Sequence, residues 1–383
     1  MILGIDASNI SSGGGLTHLK ELISNCDPVQ HGISKIIVWG EQGRTLDQIE
    51  KKEWLELVND PMLEKGGLYR WYWQNFKLSA IARDNCDVLF VPGGTFLGNF
   101  HPFVAMSQNL LPFDSKEQAR FGIGKTRARY QVLKKTQTRS FKNADGVIFL
   151  TNYARDQVVN HTGPLTRNSA IIHHGISEEL WSEPRIQKDI SEYSPEKPFK
   201  WLYVSIVNMY KHQWNVVEAV SLLRQKGLPV ELHLIGPAYG KALQRLNDTI
   251  DKYDSDRQFI CYHGPVPHNQ LDEHYKNADA FVFASTCENL PIILLESMAA
   301  GLPIVCSNAG PMPEVLKDYG VYADPEDIDS LTNAMNNLTI NKELRSELSQ
   351  KSYTASLSNT WKECSKQTMD FLVNVFQQYK QSK

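Results

Sequence analysis

The sequence lacks the signals of membrane-spanning, secreted and zinc-binding proteins. No apolar run approaches the roughly 18 residues of a membrane span. The start at Met1 has neither the basic flank nor the apolar core of a signal peptide. The six cysteines form no C-x-x-C pair, so neither a zinc site nor a disulfide framework is indicated. We therefore expect a cytoplasmic protein with reduced cysteines.

Two further absences narrow the function. Gly13-Gly14-Gly15 does not follow the order G-x-G-x-x-G, and no acid follows at the distance typical of an NAD site, which disfavours an oxidoreductase. The formal net charge is -3 and the pI is near 6.4, and no nucleic-acid-binding module is recognised. These features argue against a nucleic-acid partner.

The chain has the length of a two-domain protein and the alternating strand and helix patterns of an α/β fold. A chain of 383 residues exceeds what one hydrophobic core normally serves. Strand-like runs alternate with helical patterns from Ile2–Asp6 to Ala170–His173, and a second series starts with Leu202–Ile206, as is typical of parallel sheets. A polar segment with three prolines, Glu178–Lys200, is predicted as the linker. The predicted segments are residues 1–180, residues 200–357 and a terminal helical segment at 358–383.

The most informative segment spans residues 280–316. It begins with an apolar run typical of a buried strand, continues through a polar turn, and enters a helix at Pro291 that Gly301 caps. Glu288 is then expected in the loop before the helix, and Glu296 one to two turns inside it.

This arrangement fits a nucleotide-activated sugar. Backbone N–H groups at Asn289–Ile292 and the helix dipole would form an anion site for a diphosphate. Glu296 can accept paired hydrogen bonds from a ribose diol, and Glu288 can do so from hydroxyls beyond the phosphates. On spacing alone an alternative stays open, in which Glu296 is a solvated helix position and Glu288 is a capping acid.

The segment resembles the signature of retaining glycosyltransferases of family 4, the glycosyl transferases group 1. The matching runs are Glu288-Asn289-Leu290-Pro291, Glu296 to Val305 and Gly310 to Val315, although Asn289-Leu290-Pro291 replaces the usual Gly-Phe-Gly. The resemblance implies an α/β protein of the GT-B fold. That fold has two Rossmann-like domains facing a central cleft, with a C-terminal helix that crosses back to the amino domain.

The resemblance also implies roles in donor binding. Glu296 would bind the ribose, and Glu288 would contact the donor sugar as a catalytic residue. Asn289 and Leu290 would offer backbone N–H groups to phosphate or sugar, and Val266 is assigned to the same donor site.

Lys211 is the predicted cation of the site. It follows a predicted strand and resembles the lysine of the family run V-G-R-x-x-x-x-K-G. The resemblance places it on the donor diphosphate, where a cation would offset charge on the leaving nucleotide. The arginine of that run is absent, because Ile206 stands in its place, and a plain surface lysine is the alternative.

Gly14, Gly15 and Gln108 are the predicted contribution of the amino domain. The resemblance puts the glycine loop at the interdomain cleft, near donor phosphate or acceptor, and a flexible turn is the alternative. Gln108 stands where many family members have a histidine close to the transferring sugar. Because glutamine does not titrate, its predicted role is hydrogen bonding or positioning and not proton transfer.

No metal or other cofactor is expected. Asp254-Ser255-Asp256 has the Asp-x-Asp form used by metal-dependent glycosyltransferases, but it lies in a polar loop and is interpreted as a solvated turn. The scattered histidines are interpreted as turn or strand-end residues: His173, His174, His212, His263 and His268. Retaining members of the family are usually assigned a front-face reaction, in which the departing phosphate oxygen helps to deprotonate the acceptor.

Two segments of the amino half indicate peripheral membrane contact. Residues 68–77 mix aromatic and basic side chains, and residues 116–142 hold nine Lys or Arg against one acid. Such a pair can hold a protein on an anionic membrane face, where each cation contributes on the order of 1 kcal/mol. The open alternative is that the aromatics belong to the core and the cations solvate a helix.

Together these features predict a retaining, metal-independent glycosyltransferase of bacterial surface polysaccharide or lipopolysaccharide synthesis. It would move a sugar from a nucleoside-diphosphate sugar to a hydroxyl of a glycan or lipid-linked acceptor, at the inner face of the membrane. Two alternatives are open. One is a carbohydrate-binding scaffold that has lost catalysis, motivated by Ile206 and Gln108, and the other is a GT-B nucleotide-sugar epimerase.

Overall fold

The computed structural model describes residues 1–165, 167–238, 240–267 and 270–383. These residues divide into two compact units, called here the amino unit and the carboxyl unit. The amino unit comprises Met1–Gly175 together with Asn359–Lys383, and the carboxyl unit comprises Ile176–Ser358. The segment predicted as a linker, Glu178–Lys200, therefore lies within the carboxyl unit.

A parallel sheet of seven described strands forms the centre of the amino unit. The strands are β1 (Ile2–Asp6), β2 (Lys35–Gly40), β3 (Leu55–Asn59), β4 (Val88–Val91), β5 (Phe103–Ser107), β6 (Gly146–Phe149) and β7 (Asn168–Ile171). Their order is β3-β2-β1-β4-β5-β6-β7, and every pairing is parallel. Strands β4, β5 and β6 are buried along their whole length, which explains their nearly unbroken apolar sequences.

The helices of the amino unit follow the predicted alternation, with two local differences. They are α1 (Gly13–Ser24), α2 (Gly67–Tyr72), α3 (Leu78–Asn85), α4 (Ser115–Ala119), α5 (Lys125–Asn143) and α6 (Asn152–Thr162). A π-helical turn, Trp73–Lys77, joins α2 to α3, where the sequence predicts one helix over about residues 68–84. Two elements are not predicted from the sequence: α4, which is too short to show a helical period, and β3, which is an edge strand with little burial.

The carboxyl unit repeats this architecture with six described parallel strands in the order β10-β9-β8-β11-β12-β13. The strands are β8 (Phe199–Val204), β9 (Val230–Ile235), β10 (Ile260–Tyr262), β11 (Ala280–Phe283), β12 (Ile304–Ser307) and β13 (Val321–Ala323). The helices are α7 (Gln213–Gln225), α8 (Gly240–Tyr253), α9 (Leu271–Asn277), α10 (Ile292–Ala299), α11 (Met312–Leu316), α12 (Ile328–Ile340) and α13 (Lys342–Ser356). The sequence predicts α8 as a helix over Ala238–Tyr253, and Tyr239, near its start, lies outside the described residues.

Two predicted strand positions are wrong. The strand predicted at Leu202–Ile206 is β8, which starts at Phe199, because Lys200 interrupts the apolar run in the sequence while Phe199 and Trp201 are both buried. The strand predicted at Ala170–His173 is β7, which is shifted toward Asn168 and is only partly buried.

The terminal helix α14 (Trp361–Gln381) belongs to the amino unit. It packs against α1, where Ser365 Oγ donates to Leu22 O at 2.9 Å. It also lies so close to β6 that a Cβ added at Gly146 would be 2.8 Å from Val375 Cγ2. The predicted return of this helix to the amino domain is confirmed. Of the helices described, none combines the length and the apolar composition of a membrane span.

Arg345, on α13, forms hydrogen bonds that connect the segment before β8, at Gln187 and Lys188, to the end of α12. Its side chain is buried, with Nη1 donating to Leu338 O at 2.8 Å and Nε donating to Gln187 Oε1 at 3.1 Å. Its Nη2 donates to Lys188 O at 2.5 Å, and the guanidinium lies 5.2 Å from the centroid of the Phe199 ring. One cation therefore satisfies backbone and side-chain acceptors from two separate stretches of chain.

We expect Arg345→Met to destabilise the carboxyl unit by about 3 kcal/mol, because methionine keeps an apolar stem but leaves several buried acceptors without a donor. Urea denaturation, with hydrogen exchange of carboxyl-unit peptides as the readout, measures the effect. Lys351→Met, at an exposed position of the same helix, is the control and should leave the midpoint unchanged. A wild-type midpoint for Arg345→Met would contradict the structural role.

Candidate functional site

The strand order of the carboxyl sheet defines a switch point. From β8 the chain proceeds to β9 and β10 on one side, and from β11 it proceeds to β12 and β13 on the other. The carboxyl ends of the neighbouring strands β8 and β11 thus lie where the order reverses. In open α/β sheets, ligands bind in the crevice outside such a point. Lys211 lies in the loop after β8, and Glu288 lies in the loop after β11.

Lys211 and Glu288, 77 residues apart in the sequence, form an ion pair. Lys211 Nζ donates to Glu288 Oε1, and Ser285 Oγ donates to the same oxygen at 2.6 Å. The lysine and glutamate side chains are 7% and 14% exposed. The ammonium also lies 5.3 Å and 5.0 Å from the ring centroids of Tyr210 and Phe283. The alternatives of a plain surface lysine and a capping acid are therefore wrong.

One backbone hydrogen bond joins the two loops that carry this pair, and a tyrosine side chain of β8 holds the loop of Lys211. Thr286 N donates to Tyr210 O at 2.9 Å, and Tyr203 OH donates to Lys211 O at 2.5 Å. Burial, and secondarily the charge of Glu288, raises the pKa of the Tyr203 hydroxyl, which therefore stays a neutral donor. The backbone at Lys211 is thus held independently of its ammonium group.

Glu296 is buried inside α10, whose sequence is apolar on nearly all sides. The Tyr275 hydroxyl, on α9, donates to Glu296 Oε2 at 3.0 Å. Burial, followed by the charge of Glu296, raises the pKa of this tyrosine and keeps it a donor. Glu296 is therefore not a solvated helix position, and that alternative is wrong. Its contact with a ribose stays a prediction.

The turn that enters α10 is tighter than the sequence predicts. Asn289 and Leu290 are buried, and the helix begins at Ile292, with Pro291 as its N-cap and not its first helical residue. Ile292 N donates to Leu290 O at 3.0 Å, so the prediction of free N–H groups is wrong at this residue. Gly301 has a φ of +64° and follows the helix as its predicted cap. Donor contacts through Asn289 and Leu290 stay predictions.

Two further positions of the carboxyl unit complete the predicted set. Val266 is half-buried in the turn after β10. Ile206 lies just after β8, and its carbonyl accepts a hydrogen bond from Gln213 Nε2 at 3.0 Å. Neither side chain carries a charge, so Lys211 is the one cation among the predicted donor-site residues.

Two of the three predicted residues of the amino unit, Gly15 and Gln108, lie beside each other. Gly14 and Gly15 lie in the first turn of α1, which begins at Gly13 with a φ of +65°, so the alternative of a flexible turn is wrong. Gln108 follows β5, and a Cβ added at Gly15 would lie 3.1 Å from Gln108 Oε1. Contact of Gly14, Gly15 and Gln108 with a ligand stays a prediction.

Asp254 corrects the interpretation of the Asp-x-Asp run. It is 5% exposed and accepts hydrogen bonds from the backbone nitrogens of Gln258, Phe259 and Ile260 at 2.8, 2.9 and 2.7 Å. The buried Asp254 carboxylate accepts hydrogen bonds from the backbone of the following loop and is not part of a solvated turn. Across the described ranges, no group of three or more His, Cys, Asp or Glu side chains is arranged to hold a metal ion. Metal independence stays a prediction, and His268 lies outside the described residues.

Two residues around the site are missed by the sequence analysis. Ser285 stands three residues before Glu288, a spacing at which local side-chain hydrogen bonds are common, so this partner could have been found. Tyr275 stands 21 residues before Glu296 on a different helix, and no local signal connects the two.

Residues 68–77 expose most of their apolar side chains. The aromatic surface, as we call it, has these exposed fractions: Leu68 84%, Tyr69 50%, Trp71 51%, Tyr72 47% and Phe76 61%. Trp73 and Gln74 are buried and anchor the segment, because Trp73 Nε1 donates to Asp60 Oδ2 at 2.7 Å and Gln74 Nε2 donates to Thr95 O at 2.6 Å. The alternative that these aromatics belong to the core is wrong except at Trp73.

The family model and the relatives that match this chain are those of glycosyltransferases. The family model "Glycosyl transferases group 1" matches residues 185–355. O-antigen chain mannosyltransferase B of Escherichia coli is 27% identical over 228 residues, which are 58% of this chain and 56% of that protein. The GDP-mannose-dependent alpha-(1-6)-phosphatidylinositol monomannoside mannosyltransferase of Mycolicibacterium smegmatis is 26% identical over 213 residues, 51% of this chain and 53% of that protein.

The similarity in sequence covers 58% and 51% of this chain, whereas the similarity in fold covers 99% of it. The chain spans about half the length of the two curated relatives it matches, 56% and 53%. A solved sucrose-phosphate synthase from Thermosynechococcus elongatus superposes with a TM-score of 0.75 at 15% identity, covering 99% of this chain and 100% of that one. This chain therefore has the GT-B fold, and its residues 185–355 match the family model of the glycosyl transferases group 1.

Proposed function

We propose that this protein is a retaining, metal-independent glycosyltransferase that moves a sugar from a nucleoside-diphosphate sugar to a hydroxyl group. The observation that carries the proposal is the Lys211–Glu288 ion pair at the switch point of the carboxyl sheet. A desolvated ammonium is a strong partner for a diphosphate. A carboxylate beside it offers acceptors for sugar hydroxyls.

Charge balance at the pair supports an anionic ligand. Without a ligand, the two opposite charges compensate each other at side chains that are 7% and 14% exposed. A diphosphate competes with Glu288 for the Lys211 ammonium, and the carboxylate is then released to accept hydrogen bonds from the sugar. Without a ligand, the pair would have no net charge. With a donor bound, the ammonium would face the leaving group and the carboxylate would face the sugar.

The proposed reaction needs no further co-reactant. The bond between the anomeric carbon and the phosphate oxygen breaks, and the bond to the acceptor oxygen forms on the same face. The acceptor proton passes to the departing phosphate oxygen. Lys211 stabilises the negative charge that builds on this leaving group, and fixed charges aimed at developing charge are usually the largest single contribution to catalysis.

Mannose carried by GDP is the donor we propose first. Both curated relatives cited above are mannosyltransferases, and one of them is named as GDP-mannose-dependent. Those names mention an O-antigen chain and a phosphatidylinositol mannoside, which supports a glycan or lipid-linked acceptor and a role in bacterial surface polysaccharide synthesis.

Calorimetry and turnover over GDP-mannose, UDP-glucose and ADP-glucose test the proposal. We expect one donor to bind, and its sugar to be transferred with retained anomeric configuration in the presence of EDTA. Binding of none of these nucleotides would refute the proposal in favour of a scaffold. Conversion of the donor sugar without any acceptor would favour an epimerase.

We also propose that the aromatic surface contacts an anionic membrane face. Its anchoring through Trp73 and Gln74 keeps the rings outward, where they can enter the headgroup region. Most of the nine cations of residues 116–142, including Lys125, Arg127 and Arg129, are exposed in the same unit. Exposed aromatic rings and exposed cations in one unit favour a bilayer surface as the source of a lipid-linked acceptor.

We expect the double substitution Trp71→Ser, Phe76→Ser to lower binding to phosphatidylglycerol vesicles by about tenfold, because each ring loses its burial in the interface. Co-sedimentation measures the binding. Ile186→Ser, at a side chain 95% exposed in the carboxyl unit, is the matched control and should bind as wild type does. Equal binding by wild type and the double variant would exclude the aromatic surface as the contact.

A further inference from the structure

A buried imidazole, that of His18, lies next to the Gln108 side chain in the amino unit. His18, on α1, is fully buried, and its Nδ1 lies 3.4 Å from Gln108 Nε2. The same amide nitrogen lies 3.3 Å from Sδ of Met106 and donates to it. The thioether sulfur can only accept and the amide nitrogen is the donor, so the amide oxygen is turned away from Met106 and His18, and His18 Nδ1 can accept this N–H in the tautomer protonated at Nε2.

Gly15 makes room for that oxygen. A Cβ added at Gly15 would lie 3.1 Å from Gln108 Oε1, which is tighter than ordinary side-chain packing. Gly15 and His18 both lie on α1. Helix α1 therefore provides both the space beside the Gln108 amide oxygen and the acceptor beside the amide nitrogen. These two features together define the orientation of the amide.

Burial keeps the imidazole of His18 neutral. The pKa of His18 is lowered to about 4 by desolvation, so at neutral pH the ring carries one N–H. The ring stacks on His174 with centroids 4.6 Å apart, and the Trp361 ring lies 6.2 Å away. Accepting the Gln108 hydrogen bond at Nδ1 places the proton of His18 on Nε2, which has no hydrogen-bond partner among the residues that the structure describes.

We propose that His18 is a positioning residue, which holds Gln108 so that its amide oxygen faces Gly15 and accepts a hydrogen bond from a substrate hydroxyl. The inference rests on the proposed function, since the hydroxyl belongs to the transferred sugar or to its acceptor. Without His18 the amide can rotate by half a turn and present its NH2 group instead. A non-titrating glutamine thereby acts as a defined acceptor because a second residue sets its orientation.

Kinetics of two substitutions at His18 test the role. His18→Phe keeps the stacked ring but removes the acceptor, and we expect kcat/KM to fall about tenfold, as for one lost hydrogen bond. His18→Asn restores an acceptor oxygen and should recover most of the loss. In a Gln108→Ala background, His18→Phe should have no further effect, because the two residues act as one unit. Full activity of His18→Phe, or an undiminished loss in the Gln108→Ala background, would overturn the proposal.

A measurement without turnover separates this inference from the proposed function. Nitrogen-15 spectra of histidine-labelled protein report which imidazole nitrogen carries the proton. We expect His18 protonated at Nε2, with its Nδ1 signal shifted by Gln108→Ala and the signals of the exposed His161 unchanged. A proton at Nδ1 would overturn the inference even in an active enzyme. The expected spectra in a protein that transfers no sugar would leave the contact standing and refute the proposed function.

Discussion

Replacing Lys211 by methionine is expected to lower kcat/KM by about 1,000-fold, or about 4 kcal/mol of transition-state stabilisation. The physical reason is the loss of the ammonium that would offset charge on the departing diphosphate, at a position where no second cation is predicted because Ile206 replaces the family arginine. Affinity for the free nucleoside diphosphate should fall as well, since its phosphates contact the same group. Steady-state kinetics and calorimetry measure the two effects.

The ion pair makes a matched double variant the best control for this substitution. Lys211→Met leaves the Glu288 carboxylate uncompensated in a site where it is 14% exposed, and we expect a loss of about 3 kcal/mol in stability. Adding Glu288→Gln removes that charge and should restore stability but not activity. Lys252→Met, at an exposed position in the same unit, should change neither. Recovery of activity in the double variant would show that Lys211 only stabilises the fold.

Replacing Glu288 by glutamine is expected to lower kcat by about 100-fold while leaving nucleotide affinity unchanged or higher. Glutamine keeps the shape of the side chain and one acceptor for Lys211 Nζ but removes the negative charge. That charge is proposed to hold the sugar as positive character develops at its anomeric carbon. It also competes with the diphosphate for the ammonium, so its removal favours nucleotide binding.

A loss of turnover without a loss of nucleotide affinity distinguishes a catalytic role from a structural one. A variant that is merely misfolded loses nucleotide affinity and turnover together, whereas Glu288→Gln should separate them. Glu273→Gln, an exposed carboxylate on α9, is the control and should behave as wild type. A parallel loss of affinity and turnover in Glu288→Gln would remove Glu288 from the proposed chemistry.

Most of the fold was predictable because its signals are local. Buried parallel strands such as β4 and β11 read as short apolar runs, and the helices between them show helical composition and end signals such as Gly301. The errors occurred where local signals are weak or mixed. Strand β3 lies at a sheet edge with little burial, and the charged Lys200 concealed the start of β8.

The candidate site was predictable one residue at a time but not as an arrangement. Motif resemblance identified Lys211, Glu288 and Glu296 separately. The local sequence pattern wrongly predicted a free N–H group at Ile292 and a solvated turn at Asp254. Tyr275 could not be predicted from the sequence as a partner of Glu296, because the contact joins two helices that share no sequence pattern.

The sequence by itself therefore determined the two parallel-sheet units, the match of residues 185–355 to a glycosyltransferase family model and the identity of the candidate charged groups, because these depend on residue composition and spacing along the chain. Only the tertiary structure decided that Lys211 and Glu288 are partners, that the rings of the aromatic surface face outward, and that His18 stands behind Gln108. These relations join residues distant in sequence, and strand order and burial, which set them, exist only once the chain has folded.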